Sequence, residues 1–388
     1  MSDRLIPLSV PHLEGRALQY LKECVDTNWV SSAGPFVTRF EKQMAEATGA
    51  AHAVAVVNGT AALHVALLAA GVEPGDEVLV PALTFISPAN AVRYLGAWPV
   101  FMDVEPEYWQ MDPDKISDFL NRGCRWHEGK LINKATGRRM RGILPVHLLG
   151  HPVDWNPIAE AARKYELLPV EDAAESLGAA YRDKQVGNLG PVTCFSFNGN
   201  KIITTGGGGM VTTNDAVTAD RIRYLTTQAK DDPVEYVHNA IGFNYRLTNL
   251  QAAVGCAQME CLDSYISAKR SLAARYEAGL SDLRGIRLPR QAPWAFSTYW
   301  LYTVLVREER TGLSSRTLMR RLRDLGVESR PLWHPLHTLP PHRDAFAYRI
   351  EEADRLYREA LSLPSSVALS EDEQNRVIEA VRTVLTHA

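Results

Sequence analysis

Apolar and polar positions along the chain follow two rhythms that trade places at short intervals. Helical spacing of apolar residues runs over 12–26, stops at Thr27-Asn28, and returns over 36–47 ahead of Gly49. Between them, Trp29-Val-Ser-Ser-Ala-Gly-Pro35 reads as a loop. Short apolar runs then predict strands at Ala53–Val57, Glu77–Val80, Pro99–Met102, Ile143–Val146 and Leu167–Val170. Helical stretches separate them at 61–70, 88–94, 115–121 and 154–165. Strand and helix in alternation predict a largely parallel sheet covered by helices on both faces. Residues 122–141, basic and rich in Gly and Arg, break the rhythm and predict an inserted surface hairpin or flap.

The pattern changes in the second half. An apolar run ending Phe195-Ser-Phe-Asn-Gly-Asn leads to Lys201, then through Ile-Ile-Thr-Thr into four glycines, and resumes at Met210-Val-Thr-Thr213. A helix follows over 215–227, then the polar-aromatic loop Gly242–Asn249, then one long helix over about 250–280. A helix of that length predicts a rigid bridge to a second domain. Beyond Ile286 come a strand at 299–306, a helix at 315–325, a loop at 329–341 and a closing helix at 372–385, an α+β order. The expected division is 1–255 for the large domain and 256–388 for the small one.

Composition narrows the class without altering this picture. The chain has 388 residues, 46% hydrophobic and 22% charged, with a net charge of −3. That balance gives no reason to expect nucleic acid or an anionic membrane as partner. No apolar run approaches the roughly 20 residues of a membrane span, and Met-Ser-Asp-Arg-Leu-Ile-Pro lacks the pattern of a secretion signal. The five cysteines are scattered with no C-x-x-C pair, so reduced thiols, a cytoplasmic setting and no metal site are expected.

In open α/β sheets, functional groups gather at the carboxyl ends of strands. Thr60, the Thr84-Phe85 pair, His147, Asp172 and Lys201 fall there. A lysine between a buried strand and a glycine turn can be desolvated and its pKa lowered, as a carbonyl-attacking amine requires; a surface lysine beside a loop is the plain alternative. Asn58-Gly-Thr60 between strand and helix offers backbone N–H groups and a hydroxyl to a phosphate, or simply a helix cap. Asp172 could hold a protonated ring nitrogen or cap a helix, and Phe85 could stack on a ring or fill core. What the residues share is their order: phosphate turn, aromatic, Asp, then Ser196 and Lys201 before the glycines. That order suits pyridoxal phosphate.

The chain resembles the DegT/DnrJ/EryC1/StrS family of pyridoxal-phosphate aminotransferases acting on nucleotide-linked keto-sugars, of aminotransferase fold type I. The matching stretches include Trp29–Pro35, Asn58-Gly-Thr-Ala-Ala-Leu, Pro81–Ala91, Val146-His-Leu-Leu-Gly150, Glu171-Asp-Ala-Ala-Glu-Ser, Ser196–Gly209, Gly242–Ala253 and Arg330–His337. The resemblance implies an α/β large domain with a mostly parallel seven-stranded sheet, plus a smaller C-terminal α+β domain. It implies Lys201 as the Schiff-base amine and proton carrier, and Asp172 as holder of the pyridinium. Phe85 would stack on the ring, Gly59, Thr60 and Ser196 would bind the phosphate, and Glu175 would lie near the ring hydroxyl. Asn244 and Arg246 would reach the neighbouring subunit's phosphate and substrate, so a homodimer with shared active sites is implied. His147 and the loop Trp333, His334, His337 would line the substrate side.

Asn198, where many members carry His, together with the basic insert, resembles the subgroup of legionaminate- and bacillosamine-type aminotransferases. The implied reaction moves the amino group of glutamate to the 4-keto group of a nucleotide-linked 6-deoxy sugar, UDP-linked and N-acetylated, for surface-polysaccharide synthesis. Its rivals are another keto-sugar acceptor, such as an eight-carbon keto-acid sugar, and a lyase or dehydratase on the same fold. Dehydratase relatives replace the lysine by His, so Lys201 argues against that reading.

Overall fold

The computed structural model describes residues 5–232 and 234–386. Its centre is a sheet whose middle strand, Leu168–Asp172, is interrupted only at Val170 and is shared by two pairing ladders. On one side Gly142 and Ile143 pair in parallel with Leu168 and Pro169, and Val146 with Asp172. From there the sheet runs outward through Met140–Ile143, Glu77–Pro81 and Trp98–Met102, all parallel. On the other side Thr193 and Cys194 pair in parallel with Glu171 and Asp172. Beyond Val192–Ser196 come the antiparallel Gly209–Thr213 and finally His52–Val56. These are the seven strands the sequence implies, one of them reversed. A two-residue strand, Ala347–Tyr348, adds a parallel edge beside Trp98–Met102.

The strands are buried on both faces, which is why their sequences read as apolar runs rather than alternations. One face carries Gly59–Ala69 and Ser87–Tyr94 over a cluster that includes Val54, Val80, Phe101 and Val146. Pro35–Thr48 and Asn249–Met259 cover Ala53, Ala55, Phe195 and Met210. The helix Gly59–Ala69 is apolar all round and almost wholly buried, as a helix sandwiched between sheet and neighbours must be.

The expected bridge of about 250–280 is two helices, Asn249–Met259 and Leu262–Leu280, parted at Glu260-Cys261. Apolar spacing continues across the break, so periodicity alone does not reveal it. The break places the Glu260 carboxylate 2.9 Å from Arg39 and 2.8 Å from the Tyr20 hydroxyl, which fastens the first helix to the large domain. The second helix packs instead on the closing helix Glu371–Thr386 and the antiparallel strands Ile286–Arg287, Tyr302–Val306 and Ala360–Leu363. The N-terminal segment belongs to this smaller unit as well: Ile6 N–H donates to Gly326 O at 2.8 Å, and Ser365 N–H to Leu8 O at 2.7 Å. The N-terminal segment thus packs on the smaller unit, while Ala347–Tyr348 pairs with the sheet of the larger one.

The insert forms an antiparallel hairpin, Cys124–His127 with Lys130–Asn133, and its last residues already enter the central sheet at Met140. Among the described residues no helix is long and apolar enough to cross a membrane.

Candidate active site

Strand ends deliver the site. A cavity of about 660 Å³ opens over the carboxyl ends of the central strands, walled by Asn58, Gly59, Thr60, Phe85, Asp172, Glu175, Ser196, Asn198 and Lys201 from the large domain. Trp300, Arg330 and Trp333 close it from the small domain.

At one end, Asn58 caps the helix Gly59–Ala69, its Oδ1 accepting from Ala61 N–H at 2.8 Å. The N–H groups of Gly59 and Thr60 precede the first intrahelical bonds and stay available, with the positive end of the helix dipole behind them. Thr60 Oγ1 donates to Ser87 Oγ at 2.9 Å, which places two hydroxyls together. The floor is tight: a Cβ on Gly59 would lie 2.7 Å from Ser196 Cβ, and one on Gly209 2.6 Å from the Asn58 carbonyl carbon. Glycine at these positions lets two strand–turn units meet under an anion-sized space.

Asp172, Glu175 and Lys201 lie deeper. Asp172 Oδ1 accepts from Ala174 N–H at 2.9 Å, and this is the one hydrogen bond of its side chain among the described residues. Burial pushes its pKa up, with Ala174 N–H and then Lys201 pulling the other way. A buried carboxylate so thinly partnered needs a cation or an N–H donor in front of it. Glu175 Oε2 accepts from Leu149 N–H at 2.8 Å, and its Oε1 stands 3.8 Å from Lys201 Nζ. Burial pushes Glu175 up to about 7, opposed first by Lys201. Burial lowers Lys201, opposed by Glu175 and then Asp172. Lys201 Nζ also sits 4.1 Å from the centre of the Trp300 ring. The arrangement yields a buried amine whose neutral form is made accessible by desolvation, which is the state in which it attacks a carbonyl. Phe85 stands 51% exposed at the cavity wall, an apolar ring face left open where a flat ligand would cover it.

Other residues expected at the site lie elsewhere. His147 is fully buried and off the cavity wall: its Nε2 meets Glu171 Oε2 at 3.0 Å and its Nδ1 accepts from Val153 N–H at 3.1 Å. Both ring nitrogens are thus committed, one to the strand that carries Asp172 and one to the loop ahead of Trp155. The loop after residue 329 enters the cavity with Arg330–Trp333 and then turns away, pinned by Leu336 N–H on Ala82 O at 2.8 Å. His334 packs on Tyr357 and pairs with Thr338 Oγ1 at 2.8 Å, while His337 faces Asp354 at 3.7 Å. Neither histidine lines the cavity. Asn244 is exposed and Arg246 reaches Glu41 at 3.4 Å, both outside their own chain's cavity. Trp300, Asn200 and Arg330 line it without having been singled out as site residues. The Trp333-bearing motif pointed toward Arg330, whereas Trp300 gave no signal beyond its place at the start of an expected strand.

This pattern has a family. Residues 11–382 match the DegT/DnrJ/EryC1/StrS aminotransferase family model. The chain belongs to that family. It is therefore an enzyme, a sugar aminotransferase dependent on pyridoxal 5'-phosphate. Similar curated proteins include the GDP-perosamine synthase of Caulobacter vibrioides, 42% identical with 98% of each chain covered. The GDP-perosamine synthase of Escherichia coli O157:H7 is 39% identical over 97% of this chain and 98% of that one. Among solved structures, the aminotransferase TlmJ from Streptoalloteichus hindustanus superposes with a TM-score of 0.89 at 29% identity, covering 99% of both chains.

The cavity of this family member fits the cofactor. The helix N-terminus with Gly59, Thr60 and Ser196 matches a phosphate. The under-partnered Asp172 matches a protonated ring nitrogen, the open face of Phe85 a flat ring, and Lys201 an aldehyde.

Proposed function

We propose that the enzyme transfers the amino group of glutamate to the 4-keto group of a GDP-linked 6-deoxy sugar, in the synthesis of a surface polysaccharide. The observation that carries the chemistry is Lys201, buried, 3.8 Å from Glu175, in a cavity that also holds Asp172, whose side chain accepts only from Ala174 N–H among the described residues. The nucleotide rests on the two relatives named for GDP-perosamine, similar over nearly their whole length. Those names shift the reading away from the UDP-linked N-acetyl sugar that Asn198 and the basic insert suggest, and that sugar is the competing substrate.

Bound pyridoxal phosphate supplies an electron sink for the substrate's amine-bearing carbon. The chain's own groups do the rest. Lys201 gives its amine to hold the cofactor and, once substrate has displaced it, carries a proton at Nζ. Asp172 keeps the ring nitrogen protonated, because a buried anion there stabilises the N–H cation. Gly59, Thr60 and Ser196 anchor the phosphate, Phe85 covers one ring face, and Trp333 and Arg330 bound the sugar side. Asn244 and Arg246, exposed or turned from their own cavity, act in the site of a second subunit of a homodimer.

The test is to give the purified enzyme glutamate with GDP- and UDP-linked 4-keto-6-deoxy sugars and identify the products by mass. An aminated GDP-sugar with 2-oxoglutarate is expected. Amination of the UDP-linked N-acetyl sugar alone would replace the nucleotide assignment. No amination of any sugar, with glutamate leaving the cofactor's visible band unchanged, would overturn the donor and the reaction together.

A further inference from the structure

Lys269 is 2% exposed on the helix Leu262–Leu280, and among the described residues no carboxylate pairs with it. Its Nζ donates to two backbone carbonyls, Trp300 O at 2.9 Å and Ser365 O. A buried ammonium is costly, so a lysine spent on two carbonyls calls for a reason. The reason lies along the chain from its first partner. Tyr299, next to Trp300, has a φ of 50°, a backbone state that bulky residues avoid. Its N–H is held by Ser297 Oγ at 3.2 Å, and Gly150 abuts the same turn so closely that a Cβ there would lie 2.8 Å from Trp300 N. Trp300 is then fixed at its far end by its indole N–H on Asn200 O at 2.7 Å, and lies parallel to Trp333. Its face meets Lys201 Nζ at 4.1 Å, on a lysine whose side chain is 13% exposed.

We propose that Trp300 is the wall that confines the Lys201 amine, and that Lys269 is the positioning residue that holds this wall through the strained Ser297–Trp300 turn. Strain persists at a site only where its surroundings over-determine it; Gly150 O and Arg270 hold the Ser297–Thr298 end of the turn, and Lys269 holds its Trp300 end. The amine released during the reaction must stay within reach of a proton donor and acceptor; with Trp300 on one side and Glu175 on the other it has little room to leave. The proposal rests on Lys201 being the reactive amine.

The test uses Trp300→Ala, Lys269→Met, their double variant and Lys269→Gln, which keeps an uncharged NH2 donor on a shorter side chain. In the cofactor-free proteins, acetylation of Lys201 by acetic anhydride is followed by peptide mass spectrometry as a function of pH, so that the plateau rate separates from the titration. Labelling of Lys201 is expected to rise several-fold in Trp300→Ala and in Lys269→Met, less in Lys269→Gln, and no further in the double variant. In the loaded enzyme kcat falls by about twofold to thirtyfold, the range a cation–π contact supports, with KM for glutamate little changed. If the two substitutions add, Lys269 acts on stability and not through Trp300. Unchanged labelling in a folded Trp300→Ala protein overturns the wall itself, and this arm stands even where Lys269→Met fails to fold. Labelling that does not respond to Trp300 while Lys201→Ala still abolishes amino transfer would sink this inference and leave the assigned reaction intact.

Discussion

Replacing Glu175 by Gln tests the electrostatics of the site without the cofactor. Burial moves the Glu175 carboxyl from its ordinary 4.5 up to about 7, even with the Lys201 ammonium 3.8 Å away. Its folded-state pKa therefore lies above its unfolded one. The folded protein holds a proton that the unfolded chain has lost, and the stability this contributes is present below pH 4.5 and disappears as pH rises through about 7. At 1.36 kcal/mol per unit, the window amounts to about 3 kcal/mol, as an order of magnitude. Gln cannot titrate, so the variant lacks that decline. Lys201 works in the same direction: without the carboxylate that raises it, its pKa falls further, and a lysine that is neutral only when folded makes stability rise with pH. Urea denaturation of the cofactor-free wild type and Glu175→Gln, at steps across about pH 5 to 7, is expected to give curves that diverge in the variant's favour by up to one proton's slope. Parallel curves would show that Glu175 does not titrate in that window, and the account of the Lys201–Glu175 pair would be wrong.

Four further outcomes follow from the same geometry. Lys201→Ala is expected to lose the visible band of the lysine-bound cofactor and all amino transfer; a variant that keeps both removes Lys201 from its role. Asp172→Asn should keep its fold by circular dichroism while kcat drops about 10²–10³-fold, the scale at which removing one preorganised electrostatic group is felt. Gly59→Ala forces its Cβ against Ser196, 2.7 Å away, and overpacking of about 1–3 kcal/mol should weaken pyridoxal phosphate about tenfold to a hundredfold in a fluorescence titration. Mixing inactive Lys201→Ala and Asn244→Ala protomers should restore about a quarter of wild-type activity, since half the dimers are mixed and one site in each keeps both residues; no recovery on mixing would mean that the sites are not shared.

How much of this was legible from sequence depended on whether a residue's role is local. Asp172 and Ser196 end strands, Gly59, Thr60 and Lys201 follow one by a few residues, and the carboxyl ends of the parallel strands in one sheet converge by topology. Reading the strands was therefore enough to bring the residues together. His147 satisfies the same rule, yet Glu171 and the Val153 N–H claim both its nitrogens. A strand-end position says that a side chain is near the site, but its orientation is decided by partners that have no sequence spacing to it. The loop after 329 misled for a related reason: its Trp and two histidines look equivalent, but a single backbone bond from Leu336 to Ala82 turns the second half away. Asn249 is the clearest of the unseen devices. Its buried side chain accepts from Phe36 N–H at 2.9 Å and donates to Trp29 O at 2.8 Å, and a Cβ on Gly34 would strike it. Two stretches matched separately as motifs, more than 200 residues apart, are thus halves of one contact, and their conformations depend on each other rather than on either local pattern. Trp300 and Lys269 belong to this class: neither carries a local signal, they meet inside the small domain, and the docking of that domain on the large one brings Trp300 to Asn200 and Lys201.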